Sequence, residues 1–170
     1  VATANENYNV FTGTVGLLQP QKSHDAELGV ELAGARQRAR AGVFASYVMN
    51  EIHLLVLGGT PTFGFGANTN LAPTERTGLE LEGSIEPTGS LSLGAIYRHT
   101  RSSFRSGTYE GVGLVGKEVP LVPRDLLTLN ASLRLAPGQI LAASGRYVGR
   151  QRYDNDQINT FAMMPTYSLL

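Results

Sequence analysis

Apolar and polar residues alternate one by one through most of this chain, the signature of strands whose two faces meet different surroundings. Residues 77–86 show it most clearly: Leu79, Leu81 and Ile85 fall on one face, and Glu80, Glu82, Ser84 and Glu86 on the other. Residues 127–135 set Leu127, Leu129, Ala131, Leu133 and Leu135 against Thr128, Asn130, Ser132 and Arg134. Around 27–32, Leu28, Val30 and Leu32 oppose Glu27, Gly29 and Glu31. The beat continues from Ala39 (Ala41, Val43, Ala45, Tyr47, Met49), from Leu91 (Leu93, Ala95, Tyr97) and from Gln139 (Leu141, Ala143, Gly145, Tyr147). A last, incomplete strand begins near Thr160 and includes Phe161, Met163, Tyr167 and Leu169. The spacing of an amphipathic helix, i, i+3, i+4, i+7, is missing from these windows. The pattern predicts an all-β chain of about seven strands.

The links between these strands alternate in length. Gly34-Ala35-Arg36-Gln37, Pro87-Thr88-Gly89-Ser90 and Pro137-Gly138 are tight turns rich in Gly and Pro. Between them run longer polar links at roughly 58–74, 102–123 and 152–158. Short and long in turn is the rhythm of an up-and-down transmembrane barrel, with short turns on the periplasmic side and long loops outside. Strands leaving a short turn then run outward, and they carry Tyr47, Tyr97 and Tyr147 on the apolar face near the loop end. Tyrosines at that depth form the aromatic girdle of a membrane barrel, since the ring favours the interface and the hydroxyl reaches water. Leu79, Leu81, Tyr97, Leu129 and Leu133 are expected on the convex, lipid side rather than in a shared core. The opposite face suits a lumen. Glu27, Glu31, Glu80, Glu82 and Glu86 lie on inward strands and Arg40, Arg98, Arg134 and Arg146 mostly on outward ones, so opposite charges can pair across the sheet.

Composition narrows the picture further. Fourteen basic and fourteen acidic residues cancel, so no bulk field recruits nucleic acid. Cysteine is absent, which excludes a disulfide scaffold and thiol chemistry. No run of eighteen apolar residues offers a membrane-spanning helix. The chain starts at Val1 and stops within a strand-like stretch at Leu170, and is expected to be a piece of a longer barrel.

Several ordered motifs resemble the barrel of TonB-dependent outer-membrane receptors. Leu18-Gln19-Pro20-Gln21-Lys22-Ser23 followed by Glu27-Leu28-Gly29-Val30 is similar to the family's "L-x-P-E-x-S … E-x-G", with Gln21 where Glu is usual. Tyr47-Val48-Met49-Asn50-Glu51-Ile52 resembles "Y-x-x-x-D-x-I", and Asn68-Thr69-Asn70 with Glu75-Arg76-Thr77-Gly78-Leu79-Glu80-Leu81-Glu82 resembles "N … R-x-G-x-E-x-E". Gly116-Lys117-Glu118-Val119-Pro120-Leu121-Val122-Pro123-Arg124 is similar to "G-x-x-x-P-x-V-P-R", and Tyr147-Val148-Gly149-Arg150-Gln151 with Asp154-Asn155-Asp156 to "Y-V-G-x-Q … D-N". The resemblance implies a transmembrane antiparallel barrel of about twenty-two strands around a plug, in the outer membrane of a Gram-negative bacterium. Residues 1–170 would be one curved meander from its C-terminal half, with the plug and the final strands absent. It further implies uptake of a scarce small molecule, a ferric siderophore foremost, with energy from TonB acting through the plug, and with outer-membrane lipid as the surrounding partner.

Candidate chemistry is sparse. His24, His53 and His99 show no metal-ligand spacing, and Asp154-Asn155-Asp156 lacks the Gly and Glu of a calcium loop. No G-x-S-x-G elbow or P-loop nominates an enzyme, and no cofactor is expected. The loop aromatics Phe63, Phe65, Phe104, Tyr109 and Tyr153 are candidate ligand contacts, with Arg101 and Arg105 suited to an anionic ligand. Two other readings fit the alternation: a passive porin-type or other structural barrel, and a soluble β-sandwich binding module.

Overall fold

A computed structural model describes residues 18–60 and 63–170, and the backbone alone at 8–9, 14–15, 55–60 and 63–65. The elements are all strands, and no helix occurs among the described residues. In chain order they are β1 (Tyr8–Asn9), β2 (Thr14–Val15), β3 (Lys22–Ala33), β4 (Gln37–Met49), β5 (Ile52–Thr60), β6 (Phe63–Asn70) and β7 (Thr74–Ile85). There follow β8 (Leu91–Phe104), β9 (Thr108–Tyr109), β10 (Val112–Gly113), β11 (Asp125–Ala136), β12 (Gln139–Val148) and β13 (Tyr167–Leu169). Seven of them make one antiparallel sheet in the order β13-β12-β11-β8-β7-β4-β3. Its strands follow chain order, interrupted only by the hairpins β5–β6 and β9–β10, so the sheet is a meander. It is not closed: β3 and β13 each have a single neighbour in it. Among the described residues no second sheet packs face to face on it, which speaks against the sandwich.

Register gives each face its residues. Val30, Ala41, Leu81, Tyr97, Leu127 and Tyr147 are successive partners in one row across six strands. The row Leu28, Val43, Leu79 and His99 lies beside it on the same face. These apolar side chains enter no core: Leu28 is 76 % exposed and Leu32 70 %, and Val43, Leu81, Leu129 and Leu133 are also open. Burial of such side chains is worth about 1.5–3 kcal/mol each, so a face left this apolar is built for an apolar solvent. At its turn end the face is not convex. It cups a groove of about 1060 Å³ lined by Leu32, Ala39, Ile85, Leu93, Leu129 and Ala143.

The other face carries paired charges. Arg38 meets Glu31 at 2.8 Å, Arg40 meets Glu27 at 2.5 Å and Arg98 meets Glu80 at 2.5 Å. The Arg98 guanidinium also sits 5.5 Å from the centroid of the Phe44 ring, within cation–π range. Phe44 in turn lies over Gly78, where a Cβ would stand 2.7 Å from its Cζ and 2.1 Å from the carbonyl oxygen of His99. Only glycine fits there. Toward β11 and β12 this face carries Arg134 and Arg146 together with Ser84, Ser92, Asn130, Ser132 and Ser144, and the serines and Asn130 line a smaller recess of about 430 Å³.

The last strand is shorter than its sequence pattern suggests. β13 covers Tyr167–Leu169 only, and Met164 adds an isolated bridge to Gln151. Asp156 accepts hydrogen bonds from the backbone N–H of Thr160 at 2.6 Å and Phe161 at 3.3 Å, holding that stretch in a turn. Pro165 then removes a ladder donor. Pairing of Tyr147 with Ser168 also puts Tyr167 and Leu169 on the polar side, level with Val148 and Arg146.

Candidate functional site

The buried side chains gather at the loop end of the sheet. Leu71, Phe104, Leu114 and Val119 form a cluster, with Ala72, Tyr109, Val122 and Ile158 packed against it. Its members come from the end of β8 and from three links: after β6, between β8 and β11, and after β12. Gly107, at φ +95°, lets the middle link approach so closely that a Cβ would lie 2.6 Å from the Ala72 Cβ. Three outer links thus share one small core.

Beneath it, the base of the β5–β6 hairpin is clamped. Asn70 Nδ2 donates to the carbonyls of Gln19 (3.0 Å) and Asn50 (2.8 Å), and its Oδ1 accepts from Gln19 N–H at 2.7 Å. Arg76 Nη2 donates to both carboxylate oxygens of Glu51, at 2.8 and 2.7 Å. Asn50 itself is left-handed at φ 56°, a conformation asparagine tolerates better than most residues. Residues far apart in the chain, each within a motif of the receptor resemblance, therefore meet at one joint. His53, on β5, brings this hairpin to the link after β12: its Nε2 stands 3.3 Å from Asp154 Oδ1. That contact lacks hydrogen-bond geometry and counts as an electrostatic neighbour only.

A polar node ties the other two links. Glu118 accepts from Arg152 Nε at 2.8 Å and from Arg124 Nε at 2.9 Å, with a further bond from Arg124 Nη2. Asn159 closes the node on the backbone, accepting from Glu118 N–H at 2.7 Å and donating to its carbonyl at 2.9 Å. Burial alone would raise the Glu118 pKa; the hydrogen bonds and charges of Arg124 and Arg152 outweigh it and hold the carboxyl below its usual range. Burial, with Glu110 adding to it, pushes the Tyr109 hydroxyl up.

The candidate ligand contacts fall in different settings. Phe104 is 1 % exposed and anchors the loop cluster, so its ring is out of reach of a ligand. Tyr109, on β9, is half-buried against the same cluster. Tyr153 is exposed, edge-on to Phe161. Arg101 is exposed opposite Thr77, and that register places it on the face of Tyr97, away from the charged face. Arg105 is exposed and paired with Glu75 at 3.0 Å. The backbones of Phe63 and Phe65 pair with Thr60 and Gly58 in the β5–β6 hairpin, while their side chains lie outside the described residues. No contact joins Arg101 or Arg105 to Tyr153 among the described residues. Of the three tyrosines on outward strands, Tyr97 and Tyr147 share a row through Leu127, and Tyr47 lies six residues beyond that row's Ala41 on the same face. Tyr97 donates to Asp125 Oδ1 at 2.7 Å, and His99 Nδ1 lies 2.9 Å from the same oxygen.

Sequence reading did not single out Arg152 or Asn159, placed Phe161 in a strand and quoted Leu121 only within a motif. Glu118 and Arg124 lie within a motif already noted, and their opposite charges six residues apart were the available signal. Among the described residues no group of three His, Cys, Asp or Glu is placed to hold a metal ion.

The TonB dependent receptor-like β-barrel family model matches residues 1–170. No curated protein sequence matches. Among solved structures the chain is similar to the copper transporter OprC (18 % identity, TM-score 0.60), over 89 % of this chain and 22 % of that one. It is similar to the siderophore receptor PiuA of Acinetobacter baumannii (18 %, TM-score 0.60), over 93 % of this chain and 23 % of that one. It is also similar to the ferric yersiniabactin uptake receptor FyuA of Yersinia pestis (22 %, TM-score 0.60), over 87 % of this chain and 21 % of that one. At these identities the likeness is one of fold, and the chain spans less than a quarter of each relative's length. The alternating sheet with an open apolar face, the charged opposite face and the match along the whole chain agree: this chain belongs to the TonB-dependent receptor β-barrel family, whose members are outer-membrane proteins of Gram-negative bacteria.

Proposed function

We propose that this chain is part of the barrel of a receptor that takes up a scarce small molecule, foremost a ferric siderophore, with energy supplied through TonB. The observation that carries the reading is the two-faced wall: exposed leucines and valines on one side, ion-paired Arg and Glu on the other, capped at one end by packed loops. In a closed barrel the first face meets lipid and the second lines the lumen. The plug and the final strands belong to the rest of the parent protein, and TonB acts through that plug. Tyr47, Tyr97 and Tyr147 serve as the outer aromatic girdle, with the Tyr97 hydroxyl satisfied by Asp125 at the interface.

Solved relatives named for copper, ferric yersiniabactin and siderophore transport support a metal complex as cargo. The work of the protein is transport and not turnover. Ligand contacts are drawn from the loop end, where Tyr109, Tyr153 and Arg105 are accessible in full or in part, whereas Arg101 lies on the outward face of Tyr97. Iron-starved cells carrying the full-length receptor should accumulate a radiolabelled ferric chelate, and deletion of TonB should abolish that uptake. Uptake that persists unchanged without TonB contradicts the reading and favours a passive porin.

A further inference from the structure

One arginine of the sheet stands on the side built for lipid. Arg101 lies opposite Thr77 in the β7–β8 ladder, in the same outward column as Leu93, Ala95, Tyr97 and His99. That column grades from apolar side chains at the turn end to a phenol, an imidazole and a fixed cation at the loop end. β8 has a neighbour on each side, β7 and β11, so the exposure of Arg101 is not that of a sheet edge. Its guanidinium has no carboxylate partner among the described residues. The arginines around it do: Arg76 pairs with Glu51, Arg98 with Glu80 and Arg105 with Glu75. The two carboxylates that register places beside it on this face are already engaged. Glu75 holds Arg105 at 3.0 Å, and Asp125 accepts from Tyr97 at 2.7 Å, with His99 Nδ1 2.9 Å from the same oxygen. An outward cation is thus left open to a partner from outside the chain.

Depth decides what that cation meets. A strand rises about 3.4 Å per residue and a barrel strand tilts about 40° from the bilayer normal, so the four residues from Tyr97 to Arg101 climb about 10 Å. The headgroup layer outside the hydrocarbon is about 5–8 Å deep in each leaflet, and a guanidinium on its long stem can reach back toward it. We propose that Arg101, with the Thr77 hydroxyl across the ladder, holds the phosphate of an outer-leaflet glycolipid against the barrel wall. The guanidinium fork matches two phosphate oxygens, and the hydroxyl supplies a further donor. Below the phosphate the acyl chains find Leu79, Leu81 and Tyr97 on the same face. A soluble anion has no use for that apolar continuation, and a cargo in the lumen lies behind the opposite face.

The test uses the full-length receptor in a neutral detergent, titrated with diphosphoryl lipid A and read by native mass spectrometry. Phosphatidylcholine and inorganic phosphate serve as comparison probes. The wild type should bind lipid A in preference to phosphatidylcholine. Arg101→Ala should weaken lipid A binding by about fivefold and Arg101→Glu by about thirtyfold. Arg101→Lys should keep most of the affinity, and Thr77→Val should lose about twofold. Arg146→Ala, on the polar face, should leave it unchanged. Arg101 is exposed and unpaired, so its variants should keep the heat-resistant barrel band on gels. Equal lipid A affinity of wild type and Arg101→Glu overturns the proposal, as does an equal loss in Arg146→Ala. Binding of inorganic phosphate that depends on Arg101, without an Arg101-dependent preference for lipid A, overturns it in favour of a soluble anion.

Discussion

In the wall of this protein the large apolar side chains lie open, with Leu28 and Leu32 at 76 % and 70 % exposure, whereas in the loop cap Phe104 is at 1 %. The wall is held by backbone ladders: twelve register pairs join β3 to β4, and twelve more join β4 to β7. The cap has short strands and gains its order from a small apolar core and from charge-assisted bonds around Glu118 and Arg152. The difference follows from the solvent each region is made for. In lipid every backbone group must be paired internally and apolar side chains need no shelter. In water the backbone can bond to solvent, and apolar groups must find one another.

Four substitutions and one control in the full-length receptor bear on this contrast, the four taken from the largest effect to the smallest. Phe104→Ala removes the anchor of the cap and should cost about 3–5 kcal/mol locally. Protease sensitivity should rise at residues 105–123 while the barrel stays resistant; unfolding of the whole barrel would contradict the division into two regions. Leu81→Arg on the open face should cost about 2–4 kcal/mol when the barrel is folded in liposomes and titrated with denaturant. The same change at Ser132, on the polar face, should cost far less. Equal effects would erase the distinction between the faces.

Glu118→Gln should loosen the node by roughly 1–3 kcal/mol, read as faster hydrogen exchange at residues 117–124 and 152–161. The pH dependence has a definite sign. The folded pKa of Glu118 is depressed, so its stabilisation is present above the unfolded carboxyl pKa and is lost as pH falls through the lower folded value. Exchange in the wild type should therefore stay slow through mildly acid pH and accelerate only below the ordinary carboxylate range. Glu118→Gln should lack that acid step. The smallest effect belongs to Glu27→Gln: its pair with Arg40 is exposed, and the loss should stay within about 1 kcal/mol.

The wall was legible in the sequence because its physics is periodic. A strand between two solvents must alternate, and the seven alternating segments became the seven members of the sheet. Ends were less legible. β7 begins at Thr74 and β8 continues to Phe104, since a ladder runs on past the membrane edge where side chains no longer need to alternate. The β5–β6 hairpin escaped notice because Gly58, Gly59, Gly64 and Gly66 read as a flexible link. The cap was the least legible part. Phe104 looked like a loop aromatic open to ligand, and only the meeting of Leu71, Leu114 and Val119, distant in sequence, buries it. Phe161 looked like a strand residue, and the turn set by Asp156 was not visible from local pattern. A long-range core of four residues leaves no periodic trace.

The central claim, that the face carrying Leu81, Leu129 and Leu133 meets lipid, is tested most directly by spin labels at Leu81→Cys, Leu129→Cys and Leu133→Cys. The full-length receptor in liposomes is the sample, with labels at Glu80→Cys, Asn130→Cys and Ser132→Cys for comparison. Collision with oxygen dissolved in the bilayer should be high at the first three and low at the second three. A reversed or flat pattern between the two sets would contradict the account.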